Sequence, residues 1–193
     1  MTNSFLRQTL LTVFLIIISC SSTKINNSKN KDIVNSFINA RNNYNIEKVS
    51  SLIENNYSET FIDGSKEIEN KTQLIDMILW GKELDSKIKL LSMKSDGNEI
   101  ITIEEYTNYL DVALKRKSRK FKIVYTFRNN KILNQKIDTL PGFHQFSKFN
   151  SDRYKEFVKY CNQNNLTYNH HSFNQEFGIH LRKVLEKYKN VNE

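Results

Sequence analysis

From Asp32 onward the apolar residues recur at helical spacing. Ile33, Phe37, Ala40 and Tyr44 form one stripe, with Val34 and Ile38 beside it. Asn45 stands where an N-cap belongs, ahead of a second helix carrying Ile46, Val49, Leu52 and Ile53. Tyr57 through Asp63 then reads as a strand ending in the turn Asp63-Gly64-Ser65. A third helix follows, capped by Asn70 with Gln73 and burying Leu74, Ile75, Ile78 and Leu79. The period then changes from 3.6 to 2. Four successive strands are predicted near 86–94, 98–110, 119–128 and 131–138, with Asp96-Gly97 and Asn129-Asn130 as hairpin turns. The clearest alternation sets Phe121, Ile123, Tyr125 and Phe127 against Lys122, Thr126 and Arg128, a strand with one dry face and one wet face. Pro141-Gly142 closes this unit. Beyond it, 151–163 is amphipathic. Ser172 with Gln175 opens another helix whose stripe is Phe173, Phe177, Leu181, Val184 and Tyr188. These two helices are expected to cover apolar surface of the preceding fold.

Upstream, residues 10–18 form an apolar run behind the single charge of Arg7. Nine residues are too few for a bilayer core, which takes ~20 in a helix, so the run reads as a secretory leader. Ile17-Ile18-Ser19-Cys20 resembles the bacterial lipobox, whose cysteine is acylated and becomes the mature N-terminus. The resemblance implies a leader over 1–19, a lipidated Cys20, and a polar tether over 20–31. Each buried methylene contributes ~0.8 kcal/mol, so two or three acyl chains hold a protein at a membrane almost permanently. Ser21 and Ser22 follow, with neither an aspartate nor an acidic run. The expected location is the cell envelope, on the outer membrane facing the periplasm.

A net charge of +8 and a pI near 9.3 bring nucleic acid to mind. Export makes that partner unreachable, and the abundance of Asn, Lys and Ile points to compositional background. No nucleic acid is therefore expected as a partner. Only Cys161 remains besides Cys20, which leaves no pair for an intramolecular disulfide. Tyr154, Phe157 and Val158 share a helical face with Cys161 and mark it as a core residue. The four histidines show no ligand spacing for zinc, so no metal and no cofactor is called for. Lys115-Arg116-Lys117-Ser118-Arg119-Lys120 reads as a solvated hairpin end, or as a contact for anionic lipid.

Two helices, a strand, a third helix and a run of long antiparallel strands is an unusual order. Over about 32–140 it resembles the nuclear transport factor 2-like superfamily, which includes SnoaL-like cyclases and ketosteroid isomerases. Phe37 through Val49 looks like the family's opening, and Tyr57 through Gly64 like its next segment. The resemblance implies an α+β cone: a curved antiparallel sheet packed on three N-terminal helices, here with a helical extension over 141–193. Such a cone leaves an apolar pocket. Phe37, Trp80, Tyr109 and Tyr125 are the aromatics expected to line it.

Two carboxylates are candidates for chemistry. Asp63 falls roughly where isomerases hold a proton-shuttling group, and its other role is to cap its own turn. Of the adjacent pair Glu104 and Glu105, one must point inward. If Ile101 and Ile103 face the core, that one is Glu105. The tyrosine that isomerases carry on the first helix falls here at Ser36 or Phe37, a departure from their pattern. Three readings stay open: a non-catalytic domain binding a small apolar ligand or an envelope partner, a lyase or isomerase, and a structural homodimer.

Overall fold

The computed structural model describes residues 27–169 and 173–192. The leader, Cys20 and the tether up to residue 26 lie outside them, as does Ser172. The chain is already helical at residue 27, five residues before the expected start, and this first helix (α1) runs over 27–42. Tyr44, at φ 54, turns the chain into α2 (Ile46–Leu52), where Asn45 Oδ1 accepts from the Lys48 amide at 2.9 Å. A helix of seven residues ends where β1 (Ile53–Phe61) begins, so Ile53 belongs to the strand. After the turn at 62–65 comes β2 (Lys66–Ile68), a short strand with no signature of its own in the sequence. Next is α3 (Lys71–Glu83), capped as expected by Asn70.

The long strands are β3 (Lys87–Asp96), β4 (Glu99–Thr107), β5 (Arg119–Arg128) and β6 (Lys131–Thr139). Asn129 and Asn130, both at positive φ, close the β5–β6 hairpin as a two-residue loop. The six strands make one sheet in the order β2-β1-β6-β5-β4-β3. Its pairs are antiparallel except β1 with β6, which run parallel because the third helix and two hairpins intervene. Register shifts occur in β1/β2, β3/β4 and β5/β6. Such bulges increase bend and twist, and they curl the sheet around its helices.

The concave face carries Ile53, Tyr57, Ile100, Ile123, Tyr125 and Ile132. It packs against Val34, Phe37 and Ile38 of α1 and Leu74 and Ile78 of α3. Phe37 meets Tyr57 at a tilt and Tyr125 edge to face, with centroids 6.3 Å apart in each case.

Where β4 was expected to continue to 110, a short helix α4 (Tyr109–Ala113) interrupts. Asn108 and Asp111 cap it reciprocally. The basic run that follows is solvated at Lys115, Lys117 and Lys120, while its two arginines turn inward. Arg116 and Arg119 both reach Asp111, at 3.4 and 3.5 Å, and the Lys117 backbone is bracketed by the Asn150 amide.

Gly142, at φ 85, reverses the chain directly into α5 (Phe143–Gln163), which starts eight residues before the helix read from the sequence. Asn174 Oδ1 accepts from Phe177 N at the start of α6 (Gln175–Asn192). Phe177, Leu181, Val184 and Tyr188 are buried as expected, and Leu185 joins them, whereas Phe173 is half exposed. Together with Leu84, Leu114, Phe157 and Cys161 they form a second core on the back of α3. At Gly178 the two helices touch so closely that a Cβ would lie 3.0 Å from the Trp80 carbonyl oxygen.

Candidate functional site

The wide end of the cone holds a cavity of about 330 Å³. Hydrocarbon supplies most of its wall: Phe61, Met77, Ile78, Phe121, Ile123 and Ile137. Charge enters at Arg41 from α1, Glu59 from β1, Glu67 from β2, Lys87 at the start of β3 and Arg119 at the start of β5. Among the described residues none beyond Ile137 lines it, and the described part of the C-terminal extension backs the wall from outside, where Phe173 meets Trp80 edge-on.

Period-2 alternation puts Tyr57 and Glu59 on one face of β1, and both are buried on the inner side. Glu59 pairs with Gln135 across the ladder. Its Oε1 accepts from the Tyr57 hydroxyl at 2.6 Å, from Arg41 at 3.3 Å and from the Gln135 amide at 3.4 Å. Gln135 also donates to the Tyr57 hydroxyl. Among the described residues none of these bonds falls on Oε2. Burial opposes the charge of Arg41, but the Glu59 carboxylate and the hydroxyls of Tyr106, Tyr57 and Tyr125 outweigh it and raise its pKa. The guanidinium therefore stays cationic in a setting that would otherwise exclude it.

A second network lies beside the first. Glu104, fully buried, accepts from Thr102 and Tyr125 on Oε1 at 2.6 and 2.7 Å and from Tyr106 on Oε2 at 2.7 Å. Burial, then the nearby glutamate charge, holds the phenols of Tyr57, Tyr106 and Tyr125 well above their ordinary range. They are permanent donors, and with Thr102 they satisfy both oxygens of Glu104, whereas the bonds to Glu59 all fall on Oε1.

The expected site residues fall in different places. Trp80 stands in the cavity wall. Phe37 and Tyr125 lie behind the wall, fully buried, and Tyr109 sits in the second core under the Arg182 guanidinium at 3.5 Å. Asp63 is an exposed turn residue whose Oδ1 accepts from the Ser65 amide and hydroxyl, bonds that lower its pKa. Glu105 points outward, to Ser118 at 2.5 Å and Lys120 at 3.6 Å, and is also lowered, first by the Ser118 bond. The inward choice was off by one residue. Ile100, Thr102 and Glu104 face the core because they pair with Tyr125, Ile123 and Phe121 on the dry face of β5. Arg41, Glu59, Glu67, Tyr106 and Arg119 carried no motif. The inward series Thr102, Glu104, Tyr106 was visible only once that cross-strand register was known.

An α+β cone is the fold that the nuclear transport factor 2-like resemblance implies, and this chain has it. Among solved structures it is similar to an LEH-like epoxide hydrolase from M. tuberculosis, at 12% identity, covering 68% of this chain and 91% of that one with a TM-score of 0.53. It is also similar to Bal32a from a soil-derived mobile gene cassette (15%, 64% and 98%, TM-score 0.50) and to an NTF2-like protein of unknown function from Cytophaga hutchinsonii (17%, 58% and 90%, TM-score 0.46). At these identities the likeness shows the fold alone. No protein-family model and no curated protein matches the sequence.

Proposed function

We propose that the cone is a small-molecule-binding domain, held at the cell envelope by acyl chains on Cys20, and that it binds rather than transforms its ligand. The observation that carries this reading is the pairing of Arg41 with Glu59 on the floor of a cavity of about 330 Å³ whose walls are otherwise largely hydrocarbon. That volume lies near the lower end of the ~300–1,000 Å³ typical of ligand sites, so the ligand is small and carries a single apolar body. A few fixed polar groups in an apolar recess orient such a molecule without reacting with it.

Catalysis by Asp63 or Glu105 has no support, since neither reaches the cavity. Glu59 is the buried carboxylate that does. Its Oε1 already takes three donors, an arrangement suited to fixing a charge and poorly suited to relaying a proton. The epoxide hydrolase among its structural relatives keeps the enzyme reading open to test.

Native mass spectrometry of the full chain should show a retained small molecule. Met77→Trp, which fills the cavity, should abolish retention. A wild-type chain that retains nothing, and whose Trp80 emission no small molecule moves, would overturn the reading. The anchor is tested separately. Labelled palmitate should enter the wild type and not Cys20→Ser, and equal labelling of both would remove the anchor.

A further inference from the structure

Resting on that cavity reading, we propose that the ligand is a single-chain amphiphile with an anionic head, carboxylate or sulfate-like, gripped by Arg119 at the mouth with its chain directed inward. Three cations line the wall, and they are not equivalent. Arg41 is matched by Glu59 at 3.3 Å and rests against the Phe37 ring. Lys87 donates to the Asn42 carbonyl at 2.6 Å and lies 4.6 Å over the Tyr44 ring. Both are spent.

Arg119 is the guanidinium left short of counter-charge: among the described residues its ion-pair partner is Asp111, shared with Arg116, so two guanidinium groups face one carboxylate at 3.4 and 3.5 Å. The Nε atoms of Arg119 and Arg116 are buried and make no hydrogen bond. Burial lowers the pKa of Arg116, the Asp111 carboxylate offsets part of that, and like charge from Arg119 adds to the lowering. Glu67 also lines the cavity; no ion pair joins it to Arg119, although the Arg119 charge opposes the raise that burial and Glu59 give its pKa. The side chain of Arg119 is 34% exposed, enough for a ligand to reach it, while Arg116, at 13%, is sealed behind it.

A planar guanidinium whose charge is only partly met, in the wall of an apolar recess, is complementary to a carboxylate on a hydrocarbon chain. The mature chain's positive charge would draw such an anion toward the mouth. The cavity volume suits one medium-length chain and excludes a two-chain lipid.

Trp80 is the chain's single tryptophan and lies in this wall, so its emission reports occupancy directly. The full chain is titrated at pH 7.5 with octanoate, octan-1-ol and octyltrimethylammonium. Octanoate should bind at least about tenfold tighter than octanol, with the cation weakest, as a charge-assisted contact requires. Octyl sulfate should match octanoate if the site reads charge alone, and fall toward octanol if it reads the carboxylate fork. Arg119→Gln should reduce octanoate to the level of octanol and change octanol by less than about twofold. Asp111 keeps Arg116 in that variant, and Arg119→Lys should fall between. Equal binding of octanoate and octanol by the wild type, or an unchanged ratio in Arg119→Gln, overturns the anionic head and leaves the cavity reading standing. Failure of every probe to move Trp80 emission overturns both.

Discussion

The molecule has two cores on opposite sides of α3, and they are built on different principles. The one inside the cone encloses Glu59, Thr102, Glu104 and Gln135, each at most 6% exposed, and ties them together with hydroxyls and one guanidinium. The one behind α3 is a cluster of hydrocarbon, aromatic rings and a thiol: Leu84, Leu114, Phe157, Cys161, Leu181 and Leu185. Burying a carboxylate costs several kcal/mol before any partner repays it, so a core meant only to hold a fold together has no use for one. The dry core is scaffold. The wet one departs from the apolar rule where the cavity opens, as a site does when polar groups must be fixed in advance of a ligand.

The sharpest way to break this comparison is to leave one buried charge without its partner. Arg41→Met strands Glu59 and should lower stability by about 3–5 kcal/mol in urea denaturation. Adding Glu59→Leu should recover most of that loss, because the pair is costly to bury and its apolar replacement is not. If the double variant is no more stable than Arg41→Met, the pair is not the unit described here. Leu185→Ala probes the other side. It removes hydrocarbon from a fully buried position and should cost about 2–5 kcal/mol, with no second substitution of charge able to rescue it.

Tyr125→Phe should have a smaller effect. It deletes one of three hydroxyls on Glu104 and leaves no orphaned donor, for a loss of about 1 kcal/mol. Because Tyr125 lies behind the cavity wall, probe binding read from Trp80 should change by less than about twofold. A large loss of binding would put Tyr125 back into the wall.

The dry elements were the legible ones. The stripes of α1 and α3, the alternation of Phe121 to Phe127, the Asn129-Asn130 hairpin and the stripe of α6 are each a local pattern, and each predicted its element. The two helices assigned to the C-terminal extension were also legible, though α5 begins early because Phe143, Phe146 and Phe149 lie next to a Pro-Gly pair that reads as a break. The wet elements were not legible. Which of Glu104 and Glu105 faces inward depends on the pairing of Ile100 with Tyr125, a contact 25 positions away. Ile100, Ile101 and Ile103 offer apolar residues to both faces, so β4 alone cannot decide its own register. Glu67 sits at the register shift between β1 and β2, on a three-residue strand too short to show a period. Arg119 lay inside a run of cations whose member at Asp111 could not be told from its neighbours. The sequence shows how each segment folds, and a site assembled across segments becomes visible only after folding.

The last and smallest test uses Cys161 to ask whether the two cores come apart independently. Burial pushes its thiol up to about 11 from an ordinary value near 9.0. Because Cys161 is fully buried, a disulfide reagent at pH 8 should reach it only when the packing around it opens, and label it slowly in a Cys20→Ser chain. The sign for stability follows. The contribution is complete below about pH 9 and is lost as the pH rises toward 11, because the unfolded thiol ionises first. Labelling at pH 8 then reports how often the dry core opens. If α5 and α6 open as a unit against α3, Leu185→Ala should accelerate labelling strongly while Arg41→Met, at equal cost in overall stability, should leave it nearly unchanged. Equal acceleration by both would mean that one cooperative transition spans both cores. The difference between them would then be one of chemistry alone, with no boundary in the fold.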